Sequence, residues 1–352
     1  MLRIAMISTP FLSVPPRDYG GTELVVHELV EGLLDRGHQV TLFATGDSRT
    51  RADLHSLYDE PVWPPEPFAE LDHVSWAMSQ VARGDFDVVH THSPSSLALG
   101  RFAPRLPLVY TIHHVQQPAF SRYYAHFPDV EFVAISSDQC RRETGLGWCT
   151  VIHHGLDARR YQWTEGPEPY VCFVGRLARE KGPETAILTA TRAGVPIRVA
   201  GSVHSPNQAY VEAEVMPLMG APGVTWLGSV GVEEKVPLLR DARALLAPID
   251  WNEPFGLILI EAMLSGCPVV AFGRGSVPEL VEDGVTGFIA ASEEEMIELI
   301  RPGGPVDGLD RRRIREEATR RFDRSRMVSD YERVYQAAAA RGRPGLRPIT
   351  AA

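Results

Sequence analysis

"NEPFGLILIEAMLSGCPVVAFG", residues 252–273, decides how the chain folds. It reads as a polar loop, a helix over 256–265 and an apolar strand over 267–273. Glu261 falls more than one turn inside the helix, among Leu257, Ile258, Ile260 and Leu264. An unpaired carboxylate there would cost on the order of several kcal/mol, so it needs donors. A vicinal diol, with two hydroxyls, would supply them; so would a salt bridge to an arginine from elsewhere. Glu253 sits instead in the loop at the helix entrance. Pro254 stiffens that approach, and Gly256 lets a ligand come close to the backbone. The free N–H groups of the first turn can receive an anionic or hydroxyl-rich group.

The same alternation of strand and helix extends outward in both directions. In the second half, strands are expected at 170–175, 196–202, 224–230, 242–248 and 287–291, and helices at 181–193, around 207–219, at 232–241 and at 277–282. The first half has strands at 3–8, 38–45, 86–93, 107–114 and 130–137 and a helix at 22–37. Such an order predicts parallel sheets covered by helices, in two similar halves facing a cleft. Ligands of such sheets lie beyond the carboxyl ends of the strands, where His90, His92, His113, His114, Ser136 and Ser137 all fall. The proline-bearing segment 158–171 marks the boundary, giving domains over 1–163 and 164–325. A closing helix within 326–352 is expected to return to the N-terminal domain and end in a frayed tail over 341–350. Residues 48–72, with four prolines, read as irregular.

At 352 residues the chain suits two domains rather than one. Its 35 Lys and Arg against 45 Asp and Glu give a net charge of −10, which argues against a nonspecific nucleic-acid binder. The start, "MLRIAMISTPFL", carries no extended apolar leader, and no later stretch is apolar for long enough to span a bilayer. Cys140, Cys149, Cys172 and Cys267 are scattered, without a CxxC pair, and fit a reducing compartment better than a disulfide framework or a zinc site. A cytoplasmic location is expected, with peripheral membrane contact left open.

Three further stretches carry chemistry. "YGGTE" (19–23) places Gly20 and Gly21 just before a helix, which suits close approach of an anion and equally a plain tight turn. "VGRLAREKG" (174–182) brings Arg176 and Lys181 to a strand-to-helix turn; Arg can fork two phosphate oxygens and Lys can follow them as a point charge. Its competing reading is a solvated charged loop. "HTH" (90–92) has metal-ligand spacing but no acidic or cysteine companion, so no metal site is expected. The GxSxG and GxxxxGK[ST] patterns are absent.

Together, "GGTE", "DVVHTH", "TIHH", "VGRLAREKG" and "EPFGLILIEAMLSGCPVVA" resemble the retaining, nucleotide-sugar-dependent glycosyltransferases of family 4. The resemblance runs from about residue 3 to 336 and implies the α/β GT-B fold, two facing Rossmann-like domains with a central cleft. It implies that Arg176 and Lys181 bind the donor diphosphate and steady the leaving group. Glu261 would hold the ribose hydroxyls and Glu253 the hydroxyls of the sugar. Phe255, Gly256 and Leu257 would approach sugar and phosphate through their amides, with Gly20 or Gly21 meeting them from the opposite wall. His113 would lie near the reaction centre, and the backbone near His204 and Val230 would face the base.

The reaction so implied is retaining hexosyl transfer, without metal or other cofactor, from a nucleotide sugar to a carbohydrate or small hydroxylated acceptor. UDP-glucose is the expected donor, ahead of GDP-mannose and other UDP-sugars. The competing functions are a nucleotide-sugar epimerase of the same fold and a non-catalytic nucleotide-sugar binding protein. Ile249 and Asp250 stand where many relatives carry a serine after the proline, and Trp251 and Asn252 add bulk beside the sugar site.

Overall fold

The structure, a computed structural model, describes residues 1–17, 20–102 and 106–341. Tyr19 of the glycine turn and the expected tail beyond Arg341 lie outside the described residues. The chain divides into two compact units, one of Met1–Gly155 with the chain from Arg324 onward, the other of Leu156–Asp323. These junctions differ from the sequence-based 163/164 and 325/326. Residues 156–163 belong with the second unit because Leu156 forms a bridge to Asp323 and its N–H donates to Phe322 O at 2.9 Å.

In the first unit the strands are β1 (Arg3–Ile7), β2 (Gln39–Phe43), β3 (Asp53–His55), β4 (Val88–Thr91), β5 (Leu108–Ile112), β6 (Glu131–Ala134) and β7 (Thr150–Val151). They form one parallel sheet in the order β3-β2-β1-β4-β5-β6-β7. β4 and β5 are buried at every position, as strands covered on both faces must be. The 48–72 stretch is less irregular than its prolines suggest, since it supplies edge strand β3 and, from Pro67, a helix to Val81. The helix Arg324–Arg341 completes this unit's core with Tyr331 and Tyr335, whose hydroxyls lie 2.8 Å from Thr111 Oγ1 and 2.6 Å from His90 Nδ1. Cys140 and Cys149 are joined in a disulfide, contrary to the expectation of four free thiols. The chain leaves β6 through the helix Ser137–Arg142 and turns back to β7, which brings Cys149 beside that helix. Cys172 and Cys267 are free and buried.

In the second unit β8 (Val171–Val174), β9 (Ile197–Ala200), β10 (Val224–Trp226), β11 (Ala244–Ala247), β12 (Val269–Phe272) and β13 (Gly287–Ala290) form a parallel sheet in the order β10-β9-β8-β11-β12-β13. The strand order reverses between β8 and β11, so the loops that follow them open a crevice at their carboxyl ends. Each loop runs into a helix, Pro183–Arg192 after β8 and Leu257–Leu264 after β11. The helix expected around 207–219 is broken into short 3₁₀, α and π turns between Ser205 and Leu218, with Pro217, which has no N–H to donate, interrupting the backbone hydrogen bonds.

Gly182 decides how close the two loops come. Its φ is +68°, and a Cβ there would stand 2.4 Å from the carbonyl oxygen of Pro248. Asp250 N donates to Glu180 O at 3.0 Å alongside. Gly182→Ala is expected to destabilise this unit by about 1–3 kcal/mol through backbone strain and the clash. Gly194→Ala, at φ +70° in open space, should lose only the backbone part, about 1 kcal/mol. The shifts in the urea unfolding midpoint of the two variants test the difference.

Candidate functional site

In the second unit the β8 and β11 loops bring Lys181 and Glu253 together. The Lys181 ammonium bonds Glu253 Oε2, and the Trp251 indole N–H donates to the same oxygen at 2.8 Å. Lys181 Nζ also lies 4.9 Å from the centre of the Trp251 ring. Glu253 is only 6% exposed, and Oε1 has no hydrogen-bond partner among the described residues, yet is not sealed from solvent.

Glu261 repeats this arrangement inside the helix Leu257–Leu264. It is 3% exposed, and its Oε1 takes the Lys235 ammonium at 2.5 Å and the Tyr161 hydroxyl at 3.2 Å. Oε2 has no partner among the described residues and is likewise not sealed. The donor that the buried charge requires is thus a lysine, from the helix Val232–Asp241, rather than an arginine. A diol is not excluded by it, because half of the carboxylate stays open. Each acid therefore has one oxygen fixed by two donors of the protein and the other free to accept.

Between them is the start of the helix Leu257–Leu264. Gly256 occupies its N-cap at φ +86° with no side-chain cap. The N–H groups of Gly256, Leu257 and Ile258 find no acceptor among the described residues, so they point to whatever enters there. Phe255 is buried, and its carbonyl accepts the Ser276 hydroxyl at 2.7 Å. Arg176 is half-buried and reaches Glu180 Oε1 at 3.3 Å. Its charge helps depress the pKa of His204, after burial, the larger cause. His204 precedes the turn Ser205–Asn207 with Nε2 3.2 Å from Ser202 Oγ. Val230 is half-buried between β10 and the helix that carries Lys235.

In the first unit Gly20 caps the helix Gly21–Asp35. A Cβ at Gly20 would stand 2.7 Å from Leu12 Cδ1, 2.8 Å from Pro16 Cβ and 3.0 Å from Glu23 Oε2, so crowding requires the glycine. Gly21 opens the helix and is half-buried. Glu23 behind them is buried, accepts the Thr9 hydroxyl at 2.6 Å, and has its pKa raised by burial.

His113 follows β5, with Nε2 2.8 Å from His92 Nδ1 and its ring stacked on His154 at 5.5 Å. Its Nδ1 makes no hydrogen bond among the described residues and is not sealed. His90 is a core residue, bonded to Tyr335 and to Thr111 Oγ1 at 2.8 Å. His114 bonds the Tyr124 hydroxyl at 2.6 Å and the Val115 carbonyl at 2.8 Å. Ser136 caps the helix Ser137–Arg142, accepting from Gln139 N. No group of three or more His, Cys, Asp or Glu among the described residues is arranged to hold a metal. Nor is any helix among them long and apolar enough to cross a membrane.

Burial pushes His113 and His90 down to about 3 and His73 to about 4, from 6.5, so all three are neutral at pH 7. The unfolded chain protonates them near 6.5 and the folded unit does not. The stability they carry is therefore complete above that pH and is lost as the pH falls toward about 3. The melting temperature of this unit should drop between pH 6.5 and pH 4, and the drop should be shallower in His90→Gln.

Of the expected residues, Lys181, Glu253, Gly256 and Glu261 lie on the β8 and β11 loops and the helix that follows, while Lys235, Tyr161 and the contacts of Trp251 were not anticipated. "VEEKVPLL" (232–239) reads as a solvated helix face, and nothing in its spacing says that Lys235 turns inward.

Comparison with known proteins adds the family. Residues 19–160 match the model of Glycosyltransferase Family 4, and residues 158–302 match Glycosyl transferases group 1. The chain is 26% identical to a glycogen synthase of Mycobacterium tuberculosis, over 83% of each chain. It is 27% identical to a phosphatidyl-myo-inositol mannosyltransferase of Mycobacterium leprae, over 97% of this chain and 98% of that one. Among solved structures it resembles AviGT4, a glycosyltransferase involved in avilamycin A biosynthesis, with a TM-score of 0.76 and 27% identity over 97% of this chain and 98% of the other. With two parallel Rossmann-like units and two contiguous family matches, the chain belongs to the nucleotide-sugar-dependent glycosyltransferases of the family 4 and group 1 superfamily, of GT-B fold.

Proposed function

We propose that the protein transfers a hexosyl group with retention from a nucleotide sugar, UDP-glucose before GDP-mannose or other UDP-sugars, to a hydroxyl of a carbohydrate or small acceptor. The observation that carries this reading is the pair of half-engaged carboxylates, Glu253 and Glu261, on either side of a helix start with free N–H groups. A nucleotide sugar has hydroxyl donors at both ends and a diphosphate between them, and these groups complement it in that order. Glu261 Oε2 takes ribose hydroxyls and Glu253 Oε1 those of the sugar. The amides at Phe255, Gly256 and Leu257 and the cations Arg176 and Lys181 take the diphosphate. The backbone near His204 and Val230 lines the base. Gly20, Gly21 and His113 are the first unit's candidates; with Nε2 engaged by His92, the open Nδ1 of a neutral His113 accepts a hydrogen bond rather than presenting a charge.

In this reaction the bond from the anomeric carbon to the diphosphate oxygen breaks, and the acceptor oxygen bonds the same face of that carbon. The acceptor proton passes to a phosphate oxygen of the departing diphosphate. Arg176 and Lys181 stabilise the negative charge as it develops. No protein nucleophile is needed, and Glu253, held by Lys181 and Trp251, serves as a hydrogen-bond acceptor.

Incubation of UDP-glucose, other UDP-sugars and GDP-mannose with an acceptor panel should give a glycoside with the anomeric configuration of the donor, seen by proton NMR. Donor binding with no transfer across the panel would support a binding protein, and an isomerised nucleotide sugar formed without acceptor would support an epimerase. Lys181→Ala should lower kcat/KM by about 10²–10³-fold, as loss of one preorganised charge donor does. Wild-type protein should prefer UDP over its 2′-deoxy analogue by about tenfold, the size of one charged hydrogen bond. Calorimetry on Glu261→Gln should show that preference reduced, with the Lys235 and Tyr161 contacts kept by the amide oxygen.

A further inference from the structure

We infer that Trp251 is a positioning residue of the donor site, its ring face steering Lys181 to the diphosphate and its indole N–H keeping Glu253 aimed at the sugar; this rests on the donor-site reading above. Three contacts converge on one carboxylate oxygen and one ring. Glu253 Oε2 accepts from both Lys181 and the indole, and the Lys181 ammonium also lies over the indole face. Glu253 Oε1 is left open. The indole is itself placed by the clamp between the two loops, through Asp250 N to Glu180 O at 3.0 Å and Glu253 N to Trp251 O at 2.9 Å.

The consequence concerns what happens when a diphosphate arrives. Without ligand, the charge of Lys181 is neutralised by Glu253. A diphosphate carries more negative charge than one carboxylate and draws the ammonium away from Oε2. Lys181 keeps its attraction to the ring as long as it moves over the indole face, within about 6 Å of the ring centre. The indole N–H stays on Oε2, so the buried carboxylate is not left without a donor and does not turn Oε1 away from the sugar. One side chain thus lets a lysine be released from a carboxylate while the carboxylate remains in place. Phenylalanine has the face without the N–H, and leucine has neither, so the two roles separate.

UDP and GDP binding is measured by calorimetry, and KM and kcat with the donor that turns over, for Trp251→Phe, Trp251→Leu, Lys181→Ala and Glu253→Gln. Near-UV circular dichroism and the urea midpoint establish that each variant folds. Trp251→Phe is expected to leave nucleoside diphosphate affinity within twofold while lowering kcat/KM about tenfold, with no further loss when combined with Glu253→Gln. Trp251→Leu is expected to weaken nucleoside diphosphate binding about fivefold as well, an effect that disappears on the Lys181→Ala background. Equal effects of Trp251→Phe and Trp251→Leu, or full additivity with Glu253→Gln and Lys181→Ala, would overturn the inference and leave the donor site intact. If Lys181→Ala and Glu253→Gln themselves change neither binding nor turnover, or wild-type protein binds neither UDP nor GDP, the donor-site reading fails and the inference with it.

Discussion

The contact between Gly182 and the carbonyl of Pro248 is the constraint on which the β8 and β11 loops depend. It closes the end of the switch point between β8 and β11, and a residue with a Cβ would hold the loops apart. With the loops at that separation, the Lys181 side chain reaches Glu253 and lies over Trp251. The β12 loop is drawn in behind them, where Ser276 N donates to Glu253 O at 2.9 Å and Gly275 leaves room for the Glu253 backbone. Glu253 is thus held through its backbone as well as its side chain.

How two carboxylates come to be tolerated inside apolar surroundings follows from the same economy of donors. Full neutralisation by internal partners would leave stable acids with nothing to offer a ligand. No partners at all would leave the charge uncompensated. Lys235 with Tyr161, and Lys181 with Trp251, occupy one oxygen of each pair. The first unit solves a different problem. His90, His92 and His113 lie against one another and, at His90, against Tyr331 and Tyr335, and burial keeps them uncharged, so their nitrogens act as neutral donors and acceptors.

Much of the fold was legible because parallel strands covered on both faces must be apolar throughout. "LVYTI" at 108–112 and "VVAF" at 269–272 stand out for that reason. β3 and β7 did not, being short and partly exposed edge strands with little burial to write into the sequence. The broken helical region 205–218 was misread because apolar spacing survives across Pro217 even where the hydrogen-bond ladder does not. The need of Glu261 for a donor was visible from its neighbours, but the identity of that donor was not. Lys235 and Tyr161 are 26 and 100 residues away in the chain, and only the packed unit brings them to it.

The order in which the chain passes between its units has a consequence for synthesis. The second unit is one continuous segment, Leu156–Asp323, and holds all of its own strands. The first is discontinuous, and its core is incomplete until Tyr331 and Tyr335 arrive to meet Thr111 and His90. On a ribosome that delivers residues one after another, the segment made later can close first, while the segment made earlier waits with the β4 and β5 side of its sheet uncovered. The helix Arg324–Arg341, made after the whole of the second unit, also pairs Arg324 with Glu28 at 3.3 Å and Asp35 at 3.1 Å and is therefore the latch on the first unit.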